Sequence, residues 1–445
     1  MLSALVLVPA IAQDAFISNV SIREYMPAGV SLPISVKVEN ASATYVTSFS
    51  VRYRLDGGSW ANGTTVNITP PGLQSNGYSV NYPHPSPINV TFGAHTLEVN
   101  VVMANDVDQT NNTVLINFAA LNDYGPKVPL LECNTETWCP NCPPVNVITN
   151  GMISDPDHAL VKFHMSDALN DCEECTDYFQ QYNSTSTPTA MIEMGDFGNE
   201  ELNLFASGWQ AELEERALGI SPLILTMTSS VNPTTRVVTV GLNATFTYPV
   251  TGPFRLNVYV AEDNVPGPQQ SAAANYIHQR VMRAMLGGME GSTAVIPTNP
   301  VVGTTYSQTY SYSVPADYEI EELHLVGVCE RRPDGTFAGR GAMNCVNRSL
   351  GAVSVDELSL SDNGLVAFPN PFSSDLRVRT LDFSGNARVE LIGMDGRIVF
   401  EDNLIMARGV ASLVDIGGAA LPNGAYVLRL RTNEGTAEQR IVKMD

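Results

Sequence analysis

Basic residues are the scarce class in this 445-residue chain, with 24 Lys and Arg against 46 Asp and Glu and a formal net charge of −22. Such an acidic surface repels phosphate backbones and anionic lipid, which argues against nucleic acid or a charged membrane face as partners. Long apolar runs are also wanting: Leu2 to Ala12 is too short to cross a bilayer, and no other stretch approaches that length, so no transmembrane span is expected in the mature chain. No P-loop, dinucleotide glycine pattern, HExxH or GxSxG occurs, and no cofactor or metal site follows from motif. The 44% apolar content still suffices for real cores, and only 16% of residues are charged, a balance that suits β-rich modules rather than a disordered chain. The length allows three to four domains.

The Leu2 to Ala12 run closes on Ala10-Ile11-Ala12, an A-x-A cleavage pattern, before polar sequence begins at Gln13. Residues 1–12 therefore read as a signal peptide, truncated at its start because the basic n-region is missing; a buried N-terminal strand is the alternative. Residues 14–121 hold alternating runs such as Ser31 to Glu39, Val46 to Leu55 and His95 to Met103, broken by Gly57-Gly58 and Pro70-Pro71, the pattern of an immunoglobulin-like β-sandwich. Asp106 and Asp108, in the run Asp106 to Asn112, could serve calcium, but without a full ligand set a polar hairpin turn is the favoured reading.

Seven cysteines are few, yet four form two CxxC pairs. Trp138-Cys139-Pro140-Asn141-Cys142 follows a short apolar strand, Val128 to Cys133, and precedes Pro143, Pro144 and a helix running to Ile153. Cys139 is thus expected at a helix N-terminus, partly exposed, where the dipole favours the attacking thiolate, with Cys142 shielded as the resolving thiol. An alternating strand, His158 to Ser166, comes next, then Thr187-Pro188-Thr189 ahead of a strand at Ala190 to Met194. Leu202, Phe205, Trp209 and Leu213 then recur at helical spacing up to Gly219.

That order resembles the thioredoxin fold, with Pro188 where the family places its cis-proline beside the active cysteines, and residues 124–219 are read as such an α/β domain. Leu130-Leu131-Glu132 leading into Trp-Cys-x-x-Cys-Pro, with Tyr182 and Pro188, is similar to the Omp28-related proteins, an extracytoplasmic family of poorly defined function. Thioredoxins carry an acid six positions before the first active cysteine. This chain has Cys133 there, and Glu132 should face the other side of the strand. Residues 124–218 also hold sixteen acidic side chains against three basic ones, a net charge of 3 − 16 = −13, and Glu136, Glu173 and Glu174 oppose a thiolate. Reactive pair and permanent disulfide both stay open.

Cys172-Glu173-Glu174-Cys175 is the second pair, a candidate electron-exchange partner for the first. Together the four thiols could ligate zinc, but the 29 residues between the pairs exceed the usual ribbon spacing of about 15–20 and export favours disulfides. Residues 220–350 read as a further β-sandwich, with strands at Leu223 to Ser229, Val237 to Phe246, Phe254 to Glu262 and Leu323 to Glu330 and one helix at Asn275 to Met285. Ala261-Glu262-Asp263, Gln270 and Tyr276 to Arg283 resemble the C-terminal half of Omp28-related proteins. His278, Arg280 and Arg283 are expected to dock that helix on a sheet rather than to catalyse. Cys329 and Cys345 flank a turn-like Arg332-Pro333-Asp334-Gly335 and are expected to pair as a structural disulfide, leaving Cys133 as the odd buried thiol.

The tail, residues 361–445, alternates in short strands with hairpin signals at Asp395-Gly396 and Asn423-Gly424. Phe368-Pro369-Asn370-Pro371-Phe372, Met394 to Arg397, Leu421 to Tyr426 and Arg440 to Lys443 closely resemble the type A C-terminal sorting domain of the type IX secretion system. The resemblance implies export, handling by that machinery and delivery to the cell surface, outer membrane or medium. The Asp106 to Asn112 segment and its strand similarly resemble CARDB-type adhesion modules. The expected function is an exported thiol–disulfide oxidoreductase acting on protein thiols through Cys139, Cys142 and Pro188, or else a surface adhesion or binding protein with structural disulfides.

Overall fold

A computed structural model describes residues 13–69, 72–74, 78–153, 157–172, 174–181, 186–194, 206–273, 275–332, 340–350, 365–368, 372, 376–380, 383, 385–393, 396–406, 412–414, 416, 421–433 and 435–443. The leader at 1–12, Tyr182, Glu173, Leu202, Phe205, Pro70-Pro71, the turn at 333–335 and parts of the tail motifs, Pro369 to Pro371 and Met394-Asp395, lie outside the described residues. The fold is mainly β, built from separate open sheets, and the chain divides into two compact units, Met1–Asn122 and Asp123–Asp445.

The first unit has a three-stranded sheet of Ala15–Val20, Ser35–Asn40 and Ser79–Pro83, and a larger one centred on Ser48–Leu55, Gly93–Val102 and Thr113–Leu121. Alternation in these strands sends Val36, Val38, Val51, Leu97 and Val99 into one shared core. Between the last two strands the acidic segment is a turn: Asp108 Oδ1 accepts the Thr110 N–H at 3.0 Å, and Asn112 Nδ2 donates to Asp106 Oδ2 at 3.0 Å.

The second unit is organised by a seven-stranded sheet in the order Thr189–Ile192, Leu130–Asn134, Ala159–Phe163, Val281–Met285, Phe254–Glu262, Leu323–Arg331, Gly341–Ser349. Leu130–Asn134 runs parallel to Ala159–Phe163 and antiparallel to Thr189–Ile192. Two helices, α1 (Cys142–Met152) and α3 (Ala206–Ala217), cover one face, where Leu131, Cys133, Leu160, Ala190, Ile192, Trp209 and Leu213 meet. The short α2 (Cys175–Gln180) covers the other face, where its Tyr178 packs with Phe163 and Tyr259. Residues 124–219 and the following segment therefore share a sheet and an apolar core, and position 219/220 is not a break between sheets. The join is the pairing of Lys162 with Val281. A three-stranded sheet, Leu223–Asn232, Val237–Phe246 and Thr305–Ser313, packs on the far strands, where a Cβ on Gly327 would come within 2.5 Å of Leu242 Cδ1.

Two expectations for this region are corrected. The helix at Asn275 to Met285 is two strands, Tyr276–His278 and Val281–Met285. Arg280 has φ 58°, a left-handed value that no helix carries, and Val281 to Arg283 are all buried as on a central strand. The Cys329–Cys345 disulfide is absent, and both thiols are free and buried. Register explains it: Cys345 lies opposite Val328 and Cys329 opposite Asn344, so the one-residue offset sends the two side chains to opposite faces of the sheet. Cys133, Cys329 and Cys345 are the free thiols among the described residues.

In the tail, Leu365–Phe368, Leu376–Thr380 and Ser412–Val414 form one sheet, and Ile398–Met406, Gly385–Gly393, Gly424–Arg431 and Thr436–Lys443 another. Phe372, Leu376, Leu391, Leu428 and Ile441 fill the core between them. The final strand carries the Arg440 to Lys443 motif, and Phe372 N–H donates to Val442 O at 2.8 Å, tying the opening motif to it.

Candidate functional site

The loop that presents the first CxxC pair is fixed before its helix starts. Thr135 N–H donates to Phe163 O at 3.0 Å, and buried Glu136 accepts the Met165 and Ser166 N–H groups at 3.0 and 3.1 Å. Thr137 N–H donates to Asp167 Oδ2 at 2.6 Å, which His164 Nδ1 also meets at 2.8 Å. Burial and the adjacent Asp167 push the Glu136 carboxyl up to about 7. Burial opposes charge on Asp167 too, but His164 and the N–H groups of Thr137 and Leu169 outweigh it and hold that carboxyl well below the usual range. Glu136, His164 and Asp167 each bring a possible ligand atom within 4.8 Å of the others. Their carboxylate oxygens already serve these main-chain N–H groups, so the cluster binds two loops together. The four thiols that a zinc site would need are paired as two disulfides, Cys139–Cys142 and Cys172–Cys175.

α1 begins at Cys142, with Asn141 as N-cap and prolines in its first turn. The expectation that Cys139 is partly exposed is corrected. Cys139 sits in the preceding turn, its N–H donating to Glu136 O at 3.2 Å, and it is 1% exposed, as closed off as Cys142 at 0%. The dipole is therefore aimed at Cys142. The sulfurs face the residue before Pro188: Cys139 Sγ lies 3.7 Å from Thr187 O and Cys142 Sγ 3.6 Å from Thr187 Oγ1. Thr187–Pro188 is cis, and Pro188 is half-buried.

A segment far away in sequence holds the loop that carries Cys139. Gln269 Nε2 lies 3.1, 3.3 and 3.0 Å from the carbonyl oxygens of Glu136, Thr137 and Cys139, and Gln270 N–H donates to Thr137 O at 2.7 Å. Sequence reasoning quoted Gln270 only as part of a family pattern and passed over Gln269, since a contact across 130 residues leaves no local signature. It also missed Lys162. That side chain is buried opposite Cys133 and donates to Asn150 Oδ1 at 2.6 Å and Asn146 Oδ1 at 3.3 Å, both on α1. Burial pulls Lys162 down to about 8 and pushes the Cys133 thiol up to about 11. A neutral thiol and a lysine thus stand side by side on adjacent strands beneath α1.

Glu132 points to the opposite face. It is fully buried, accepts from Tyr178 Oη, and burial raises it to about 7 against the pull of Arg340 and Tyr178. Cys172 and Cys175 lie on the same face in apolar packing, 3% and 0% exposed. His278 and Arg283 act as ties on strands, and Arg280 in the bend between them, rather than on a helix: His278 Nε2 meets Pro268 O at 3.2 Å, Arg280 donates to Ile153 O at 2.9 Å, and Arg283 pairs with Glu262 at 2.7 Å and Asp171 at 2.5 Å.

Residues 176–335 match the family described as Outer membrane protein Omp28, and residues 366–444 match the Secretion system C-terminal sorting domain. The first match begins just after Cys175, so both CxxC pairs precede it. No curated protein matches the chain. Among solved structures, a protein from Agrobacterium tumefaciens is similar at 14% identity over 52% of this chain and 98% of its own, with a TM-score of 0.34. A CARDB domain from Pyrococcus furiosus, in complex with di-metal ions, is similar at 16% identity over 25% of this chain and 90% of its own, with a TM-score of 0.21. No described helix is long and apolar enough to cross a membrane. The chain carries an Omp28-type segment and a type IX sorting domain, which mark it as an exported protein of the cell surface or outer membrane.

Proposed function

We propose that this exported protein is a thioredoxin-like thiol–disulfide oxidoreductase whose working pair is Cys139–Cys142. The observation that carries the reading is the placement of both sulfurs against Thr187, at 3.7 and 3.6 Å, between the start of α1 and the edge strand that pairs antiparallel to Leu130–Asn134. In the oxidised state a substrate thiolate attacks Cys139 Sγ, and Cys142 leaves as a thiolate at the head of α1. A second substrate thiolate then attacks the mixed disulfide, so the substrate leaves as a disulfide and the pair as two thiols, with two electrons transferred. Lys162 is linked through Asn146 to the turn of α1 that follows Cys142, and a positive charge there favours the leaving thiolate. Cys172–Cys175, sealed in apolar packing, acts as a staple rather than as a relay.

The rival reading, a surface binding protein with structural disulfides, draws on the burial of Cys139 and Cys142 at 1% and 0%. Cys142→Ser decides between them: exchange is reversible, so in the enzyme the free Cys139 thiolate attacks a substrate disulfide, one substrate sulfur leaves as a thiolate, and the mixed disulfide accumulates because no Cys142 thiolate is present to displace Cys139's partner. No Cys139-dependent adduct, with a pair potential below about −300 mV, would leave the binding protein standing.

A further inference from the structure

Thiol–disulfide exchange requires a sulfur atom to approach Cys139 Sγ along the disulfide axis, and a residue 1% exposed offers no such approach. One side of the pair is Thr187, fixed by the strand that follows it; Thr187 Oγ1 donates to Asn134 O at 3.2 Å inside the sheet. Against the loop that carries Cys139 lies Val265 to Gln270. This segment is anchored by a short ladder, Val265 opposite His278, Pro266 opposite Ile277 and Gly267 opposite Tyr276. It reaches the CxxC loop through the amide of Gln269 and the N–H of Gln270.

We propose, resting on the oxidoreductase reading, that the Val265 to Gln270 segment is a strap that regulates this site: it keeps the Cys139–Cys142 disulfide closed to partner thiols and must lift for exchange. The cover is polar and local. Val265, at the anchored end, is the one residue of the segment in an apolar cluster, with Leu169 and Val281; Gln269, four residues on, can release the carbonyls of Glu136, Thr137 and Cys139 while that end stays packed, and water can satisfy all three once exposed. The closed strap is also incompletely satisfied, since Gln269 Oε1 is buried without a hydrogen-bond partner among the described residues. Opening gives that oxygen water to bond, which lowers the cost of lifting the segment. His164 Nε2, beneath the strap anchor where its ring meets His278 at 5.4 Å, is likewise buried without a partner.

The test uses the full oxidised chain and dithiothreitol as the probe, with alkylation and peptide mass analysis reporting each disulfide separately. Gln269→Glu sets a carboxylate against three carbonyl oxygens and should speed reduction of Cys139–Cys142 by roughly tenfold or more, the factor expected from the loss of one or two hydrogen bonds. Gln269→Ala should give a smaller gain in the same direction. Cys172–Cys175 is the internal control and should keep its wild-type rate. Equal acceleration of both pairs would mean general loosening, and an unchanged Cys139–Cys142 rate in both variants would mean that the segment is no strap; either overturns the proposal. The redox reading is judged apart from this, by the potential of the pair and the Cys142→Ser adduct. A strap that opens over a pair with a structural potential would keep the cover and remove the enzyme.

Discussion

Two CxxC pairs lie in the same unit, closed alike with Cα–Cα separations of 5.4 and 5.3 Å, and both buried. Their covers differ in kind. Cys172–Cys175 belongs to one apolar cluster with Phe163, Tyr178, Met191, Met194 and Tyr259, the core on one face of the seven-stranded sheet. Cys139–Cys142 has polar neighbours instead, Thr187 against both sulfurs and the Gln269 amide on the Cys139 carbonyl. Burial alone does not separate a structural disulfide from a reactive one. An apolar roof opens only when its core opens, whereas a hydrogen-bonded roof opens locally.

The largest effect that would sharpen this contrast is expected at Tyr178. It is fully buried, stacks on Phe163 with ring centroids 5.3 Å apart, donates to Glu132 and carries the Arg340 guanidinium 4.3 Å over its ring. Tyr178→Ala should cost about 3–5 kcal/mol in denaturant unfolding. Trp138→Ala, beside Cys139 but 52% exposed, should stay within about 0.5 kcal/mol. Similar losses at the two positions would break the comparison.

Next in size is a pH effect from the apolar side. Glu132 titrates at about 7 in the fold against an ordinary value of 4.5, so the folded chain binds its proton more tightly than the unfolded chain does. Stability from this group is therefore present at low pH and lost as pH rises from about 4.5 through about 7, by at most about 3–4 kcal/mol at roughly 1.4 kcal/mol per pH unit. Glu132→Gln should flatten that slope in unfolding curves taken across the window. A slope unchanged by the substitution would show that the carboxyl is not the group responsible.

The smallest contrast is between the disulfides themselves. Each closes the same short ring, so chain entropy gives both about 2 kcal/mol. Replacing Cys172 and Cys175 by alanine also leaves a void in the core, adding about 1 kcal/mol, while replacing Cys139 and Cys142 should cost the entropic share alone. Equal losses measured by chemical denaturation would mean that the two roofs are energetically alike.

The strands of the tail and of residues 14–121 were legible because period-two alternation and Gly or Asn turns are local signals, and the observed strands follow them at Ser48–Leu55, Gly93–Val102 and Gly424–Arg431. The Asn275 to Met285 segment misled because Ile277, Val281, Met282 and Met285 also fit helical spacing. Burial between Ala159–Phe163 and Phe254–Glu262 overrode that pattern. The site was legible as a pair of cysteines and a proline and no further.

Sequence by itself determined the parts that short-range chemistry encodes: the mainly β fold, the sorting tail, the two CxxC pairs and the proline-led strand, since spacing along the chain sets turn type, helix start and strand face. The tertiary structure decided what those parts can do. Register sent Cys329 and Cys345 to opposite faces, one sheet joined the CxxC segment to the strands beyond residue 220, and Gln269 came to rest on Cys139. Each depends on residues far apart in the chain meeting at hydrogen-bond distance, a condition set by packing of whole sheets and carried by no local run of sequence.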